Sequence, residues 1–211
     1  MIGIDPDKTR FVRDRYNRIS RYYNVLEWPM EWLFYRRWRQ RLFERVRGQQ
    51  VLEVGIGTGK NLPFYRSRSL FAVGVDFSAG MIRHALPRAR ELGVHLIQAD
   101  AQLLPFRDQV FDTVLATFVF CSVPDPVLGL REIRRVLKPD GRLLMLEHVL
   151  PENAFLANWF NRLNEFTVRR IGVNINRTTA QNIRRAGFEL EEEHNLLSTV
   201  FKLFVARPLK A

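Results

Sequence analysis

The sequence predicts an α/β protein built on an open, doubly wound sheet of mostly parallel strands. Three observations carry this. An apolar run, Val51-Leu52-Glu53-Val54, ends in Gly55-Ile56-Gly57-Thr58-Gly59, with three glycines at alternate positions. Only glycine takes left-handed backbone angles at little cost and lets a ligand approach with no Cβ in the way. A second apolar run, Phe71 to Val75, ends in Asp76, seventeen residues after Gly59. From there to Leu146, strand-like and helix-like segments alternate, as they do in β–α–β units.

The elements follow in chain order. Asp5-Pro6-Asp7 predicts a helix start, with the helix running through Tyr16. Glu27-Trp28-Pro29 predicts the opening of a second helix, with proline just inside it. At about 100° per residue, Trp28, Trp32, Tyr35, Leu42, Phe43 and Val46 share the face expected to meet the core. Arg37, Gln40, Arg41 and Glu44 lie opposite. Met30, Leu33 and Phe34 fall beside the arginines, either as an interfacial surface or under a neighbouring lid.

Strands are expected near Gln50–Gly55, Phe71–Asp76, His95–Ala99, Phe111–Thr117 and Arg142–His148. Helical stretches are expected near Asn61–Tyr65, Ala79–Leu92 and Pro126–Leu137. Pro139-Asp140-Gly141 reads as the turn into the fifth strand. Asn153 to Arg170 carries Leu156, Trp159, Phe160, Leu163 and Phe166 at helical spacing, so an inserted amphipathic helix is expected there. Thr178–Ala186 reads as a short helix ended by Gly187. Phe188–His194 and Thr199–Ala206 read as a closing antiparallel pair. The expected organisation is residues 1–48 as basic, aromatic helices forming a lid or membrane-facing part, and 49–211 as the core with its insertion near 153–170.

Length and charge narrow the function. The 211 residues suit one domain with a modest appendage. The one cysteine, Cys121, excludes an intrachain disulfide and argues against a cysteine-based metal site, which suits a reducing cytosol. Met1 to Arg15 is charged rather than signal-like, and the chain has no run of about 20 apolar residues. A cytoplasmic protein that neither leaves the cell nor spans a membrane is therefore expected. The net charge is +11, and Met1 to Gly48 alone carries twelve Lys/Arg against six acids. That balance implies an anionic partner, either nucleic acid or an anionic membrane surface.

The glycine spacing is G-x-G-x-G, not the G-x-G-x-x-G of dinucleotide enzymes. In a doubly wound sheet the second strand lies beside the first, so Asp76 at its tip is placed to accept both ribose hydroxyls of an adenosine. Asp100, just past the third strand, stands where the adenine would lie. The ordered blocks E-V-G-I-G-T-G, Asp76, A-D-A-Q-L-L-P-F, F-D-T-V-L-A and R-R-V-L-K-P-D-G-R resemble the class I S-adenosylmethionine (SAM)-dependent methyltransferases, over about Arg15 to Pro208. The resemblance implies a Rossmann-like sheet of seven strands, in order 3-2-1-4-5-7-6 with the last strand antiparallel, under an N-terminal helical lid. It implies SAM as cofactor and no metal.

Arg15 to Asn24 is similar to the YDxxAxxYD element that precedes the core in the quinone-biosynthetic and phospholipid branches of that family. Tyr16 and Tyr23 match its tyrosines, whereas Asn17 and Asn24 stand where the pattern has aspartate. By position and resemblance, Gly55, Gly57, Thr58 and Gly59 would pass under the methionine part of the cofactor. Glu53 would orient either the loop or the ammonium. Asp76 would take the ribose, Phe77 and Met81 would pack on the adenine, and Asp100 with Ala101 would meet its amino group. Thr117 would contact the methionine end.

Methyl transfer from a sulfonium needs alignment and exclusion of water more than strong acids or bases. Tyr16 and Tyr23 are therefore expected over the reacting centre, His148 as a neutral base at the tip of the fifth strand, and Arg177 as a phosphate contact. The chain resembles soluble bacterial phosphatidylethanolamine N-methyltransferases, which implies N-methylation of that headgroup by a peripherally bound enzyme. A quinol or other small lipophilic acceptor, methylated at O, C or S, shares the same motifs. A nucleic-acid methyltransferase or binder is the third class. It is disfavoured because Thr117-Phe118-Val119-Phe120-Cys121 is apolar where an amino-methylation motif would stand.

Overall fold

The computed structural model describes residues 3–66, 70–151, 153, 158–160, 162–164, 168, 174 and 176–209. The N-terminal helix α1 spans Pro6–Met30, and its start is set chemically. The Asp5 side chain accepts from the backbone N–H groups of Asp7 and Lys8 at 3.2 and 3.1 Å, and Pro6 fills the first turn, where no N–H is needed.

The helix does not stop at Tyr16, and no second helix opens at Glu27. Pro29 lies inside α1, and a π-helical turn, Glu31–Tyr35, follows at once and runs into α2, Arg36–Phe43. A π turn holds more residues than an α turn, so the faces before and after it fall out of phase. This corrects the expected core face. Trp28 and Trp32 are 64% and 73% exposed, while Trp38 and Arg39 are buried at 5% and 4%. Leu42, Phe43 and Val46 do meet the core, and Tyr35 stacks near Phe118 with ring centroids 4.4 Å apart.

The sheet comprises β1 (Gln50–Val54), β2 (Phe71–Asp76), β3 (His95–Gln98), β4 (Phe111–Thr117), β5 (Leu137–His148), β6 (Phe188–Leu197) and β7 (Phe201–Pro208), in the order β3-β2-β1-β4-β5-β7-β6. The first five strands are parallel, and β7 runs antiparallel to both β5 and β6. This is the strand order and handedness of pairing that the resemblance implied. Helix α3 (Ala79–Glu91), α4 (Pro126–Val136) and α5 (Thr179–Arg185) connect the strands. Strand β5 begins earlier than expected. Leu137 pairs with Phe111, and after a slip in register Arg142 pairs with Thr113, so Pro139-Asp140-Gly141 bulges from a strand rather than preceding one.

Both faces of the sheet are covered, which explains why β1 and β4 read as continuous apolar runs. On one face Leu52, Val54 and Val114 pack with Leu130, Ile133 and Ile183. On the other Val51, Leu115 and Leu144 pack with Trp38, Leu42 and Ala85. The insertion expected near 153–170 falls largely outside the described residues, Leu156 and Phe166 included. Residues 158–160 and 162–164 within it are helical, with Trp159 exposed.

The strand order reverses between β1 and β4. A crevice opens beyond the carboxyl ends of the strands at such a point.

Candidate cofactor and acceptor site

The crevice is a cleft of about 650 Å³. The loop after β1 forms its floor. Gly55 and Gly57 have φ of +71° and +57°, angles that side chains rarely adopt. The N–H groups of Gly55 and Ile56 both donate to the Val75 carbonyl, at 2.8 and 3.0 Å, which ties the loop to the end of β2. A Cβ on Gly55 would lie 2.3 Å from Val119, so glycine is required there by packing. A Cβ on Gly57 would meet nothing closer than the Gly55 carbonyl oxygen at 4.0 Å, and Gly57 lines the cleft. At Gly57, then, the backbone is bare toward the space a ligand occupies.

Asp76 ends β2 and clasps this loop. Its Oδ2 accepts from Gly57 N at 2.9 Å and its Oδ1 from Ser78 N at 2.8 Å. Burial pushes the carboxyl up to about 6, although the two N–H donors pull the other way. Each oxygen keeps a lone pair for a ribose hydroxyl. Ser78 caps α3 by accepting from Met81 N at 3.2 Å.

Phe77, Met81, Asp100 and Ala101, expected around the adenine, all line the cleft. Asp100 is held by Gln102, whose backbone N–H donates to Oδ1 at 2.8 Å and whose side-chain amide bonds both carboxylate oxygens at 3.1 Å. The Gln102 carbonyl accepts from Asp125 N at 3.0 Å, so this tie extends to the start of α4.

Glu53, Thr58 and Gly59 stand behind the cleft rather than in it. Glu53 is a brace: Oε1 accepts from Asn61 Nδ2 and Oε2 from the Tyr65 hydroxyl, each at 2.9 Å. Burial raises its carboxyl to about 7. Thr117, expected at the methionine end, lines the cleft, and its hydroxyl oxygen accepts from Arg39 Nη1 at 2.9 Å. The same Nη1 donates to Asn61 Oδ1 at 3.0 Å, and Arg39 Nε to Glu31 Oε2 at 3.3 Å. Sequence reading missed Arg39 although about 100° per residue already puts it on the stripe of Leu42, Phe43 and Val46, because the reading there took only apolar residues.

Helix α1 covers the cleft. Tyr16 and Tyr23 line it, with ring centroids 6.4 Å apart and Tyr16 5.8 Å from Phe77. The Tyr16 hydroxyl lies 2.6 Å from Ser122 Oγ. Burial raises both phenols, so they remain protonated near neutral pH. The two asparagines that replace the usual aspartates fasten the lid. Asn17 Oδ1 accepts from Ser78 Oγ at 2.8 Å and Gly80 N at 2.9 Å, and Asn24 Oδ1 accepts from Thr58 Oγ1 at 2.7 Å. An amide in place of a carboxylate makes these bonds without burying a charge. Their role was legible only as a departure from a pattern.

His148 and Arg177 do not line the cleft. Burial lowers the His148 imidazole, which keeps it neutral, and the Asn174 backbone bonds to it. Arg177 Nη2 donates to the Val123 carbonyl at 2.8 Å, while its buried Nε has no partner among the described residues. Cys121, Glu147 and His148 bring donor atoms within 4.8 Å of one another. Each already has a partner: Glu147 Oε1 accepts from Val119 N and Phe120 N at 2.9 Å, and Cys121 Sγ contacts the Phe118 carbonyl at 3.7 Å.

Comparison with known proteins agrees with this geometry. Residues 52–145 match the methyltransferase domain family. The phosphatidylethanolamine N-methyltransferase of Cereibacter sphaeroides is 39% identical over 116 residues, covering 53% of this chain and 57% of that one. The demethylmenaquinone methyltransferase of Renibacterium salmoninarum is 38% identical over 119 residues, covering 55% and 49%. The chain thus spans about half the length of these two relatives. The ubiquinone/menaquinone biosynthesis C-methyltransferase UbiE of Geobacter sulfurreducens is 33% identical over 177 residues, covering 78% of this chain and 67% of that one.

Among solved structures, a SAM-dependent methyltransferase from Thermotoga maritima superposes with a TM-score of 0.71 at 22% identity, covering 92% and 98% of the two chains. Geranyl diphosphate methyltransferase in complex with SAM gives 0.69 at 16%, covering 81% and 84%. The [4+2]-cyclase SpnF gives 0.71 at 23%, covering 83% and 81%, so likeness at this level speaks for the fold alone. Family membership rests instead on the sequence relatives. With a relative 33% identical over 177 residues and covered to 67%, the chain belongs to the SAM-dependent methyltransferase family.

Proposed function

We propose that this protein transfers the methyl group of SAM to the amine of a phosphatidylethanolamine headgroup at a membrane surface. The observation that carries this is the double use of α1. Its inner side brings Tyr16 and Tyr23 into the cleft, while its outer side and the π turn expose Tyr22, Val25, Leu26, Trp28, Trp32 and Leu33 among Arg18, Arg21, Arg36 and Arg37. Exposed apolar groups beside cations suit a headgroup layer, with about 1 kcal/mol from each Lys or Arg near anionic lipid. No helix among the described residues is long and apolar enough to cross a membrane, so docking would be peripheral. In this reading residues 1–48 act as lid and membrane-facing part, and 49–211 as the catalytic core.

Bound SAM supplies an electrophilic methyl on a sulfonium with a thioether as leaving group. The chain's part is to align and to keep water out. Gly55, Gly57, Asp76, Phe77, Met81, Asp100, Ala101 and Thr117 hold the cofactor, with Glu53, Thr58 and Gly59 bracing its loop. Tyr16 and Tyr23 close over the reacting atoms, and their ring faces favour a cationic product. The acceptor amine attacks as the free base, its lone pair forming the N–C bond as the C–S bond breaks. His148, held neutral, takes the ammonium proton and Arg177 faces the lipid phosphate only where the headgroup extends past the cleft lining, since neither side chain lines it. The test is incubation with methyl-labelled SAM and vesicles with or without phosphatidylethanolamine. Mono-, di- or trimethylated headgroups support the reading, and label absent from that lipid overturns it.

A second acceptor class, a lipophilic quinol, is favoured by the apolar wall of Phe118, Val119, Val123 and Pro124 and by the menaquinone and ubiquinone relatives. Label in a quinol and none in phosphatidylethanolamine would select it.

A further inference from the structure

A second cleft, about 1260 Å³ including its open mouth, lies on the other side of the glycine loop. One wall is the lid, through Asn24, Glu31 and Arg36. The other is the core, through Thr58, Lys60, His84 and Arg88. His84 and Arg88 are four residues apart on α3, so both point the same way. Glu31 is already engaged by Arg39. Among the described residues, Arg36, Lys60 and Arg88 have no carboxylate within salt-bridge distance. Glu27, the nearby acid, bonds the Tyr23 hydroxyl and lies within electrostatic reach of Arg39 and Lys60. Three cations from the lid and the core thus line one concave space whose one lining acid among the described residues, Glu31, is paired with Arg39.

The two clefts share a wall. Tyr23 lines the first and Asn24 the second; Gly57 lines the first and Thr58 the second. The Thr58–Asn24 hydrogen bond, 2.7 Å, joins these two pairs. Arg39 bridges Thr117 of the first cleft to Glu31 of the second.

We propose that the second cleft binds a phosphate group, free or esterified in a lipid, and that its occupancy holds the lid down on the cofactor cleft. A tetrahedral oxyanion has enough oxygens to accept from Arg36, Lys60 and Arg88 together. Because the lid contacts are common to both clefts, phosphate and SAM each raise the other's affinity, as linkage requires. The inference rests on SAM binding in the first cleft and is independent of the methyl acceptor.

The test is calorimetric titration of SAM into the full chain in chloride and in inorganic phosphate at matched ionic strength. Phosphate binding itself is followed by phosphorus NMR line broadening without SAM. SAM affinity about fivefold or more tighter in phosphate is expected. The gain should disappear in Lys60→Gln/Arg88→Gln, with affinity in chloride unchanged. Arg88 is exposed and Lys60 half-buried, and Arg88→Gln alone, which should reduce the gain, serves if the double variant folds poorly. A third arm replaces inorganic phosphate with phosphatidylglycerol vesicles. A gain there alone assigns the site to lipid phosphate, and a gain in both assigns it to the group itself. No gain with either source, or a gain that survives in the variants, overturns the proposal. If SAM fails to bind at all, the cofactor reading falls, while the phosphorus signal still judges this cleft.

Discussion

Arg39 Nη1 donates to the Thr117 hydroxyl at 2.9 Å, joining the second half of the N-terminal rod to the tip of β4 across 78 positions of sequence. The guanidinium is 4% exposed and also bonds Asn61 and Glu31, and it lies 5.6 Å from the Phe118 ring centre. Its planar fork serves these partners at once, which a lysine ammonium does not. Arg39→Met should cost about 2–3 kcal/mol of stability, because Asn61 and Thr117 lose a buried donor and Glu31 its counter-charge. Urea denaturation checks this, and Arg39→Lys should recover less than half of the loss.

The pH dependence of cofactor binding should report Asp76. Its carboxyl stands at about 6 in the folded protein, above the ordinary aspartate value. A raised value means the fold takes up the proton more readily than the unfolded chain does. Ionisation as pH rises through 6 therefore weakens the empty fold. Ribose hydroxyls donate to the ionised form. The Kd for SAM should accordingly be flat above about pH 7 and rise by up to tenfold per pH unit below 6. Asp76→Asn should abolish that slope and bind SAM at least tenfold more weakly. Glu53 and Glu147, each raised to about 7 by burial, act in the same direction on the empty protein. Its Tm should fall between pH 6 and pH 8, measured by calorimetry.

Two glycines of one loop should separate stability from binding. Gly57→Ala places a Cβ in open cleft at φ +57°, so the fold should lose only about 1–2 kcal/mol while SAM affinity drops tenfold or more. Gly55→Ala incurs a similar backbone cost and drives a Cβ to 2.3 Å from Val119, adding about 1–3 kcal/mol of overpacking. Thermal melts with and without SAM distinguish the two.

Tyr16→Phe keeps the ring against Phe77 and Tyr23 but removes the hydroxyl bonded to Ser122 at 2.6 Å. If the phenol orients the acceptor, kcat should fall tenfold or more with SAM affinity unchanged. A fall in SAM affinity alone would mean the hydroxyl only seats the lid.

Trp28 and Trp32 make almost no use of the core, so Trp28→Ala/Trp32→Ala should leave the Tm within about 1 °C of the parent, as surface changes do. The same variant should lose most of its binding to anionic vesicles. Co-sedimentation at low and high salt checks both the apolar and the ionic share.

The strands of the core were legible because both faces of the sheet are buried, so β1 and β2 read as apolar runs ended by glycine and by acid, and β4 as one ended by Thr117. The carboxyl-end crevice followed from that pattern, and with it the arrangement of Gly57, Asp76 and Asp100 around one cleft. Local sequence determined these features because backbone conformation and strand-end position are local properties. What the tertiary structure decided lies where elements from distant parts of the chain meet. The π turn at Glu31–Tyr35 sets the rotation of α2 against the sheet, and no local pattern encodes that phase. It left Trp28 and Trp32 outward while Leu42 and Phe43 meet the core, against the expectation from a straight helix. Asn17 and Asn24 acquire their roles only because α1 lies across α3 and the glycine loop, where amides can accept from Ser78, Gly80 and Thr58. Hydrogen bonds between such distant partners depend on packing in three dimensions, which single-chain spacing does not contain.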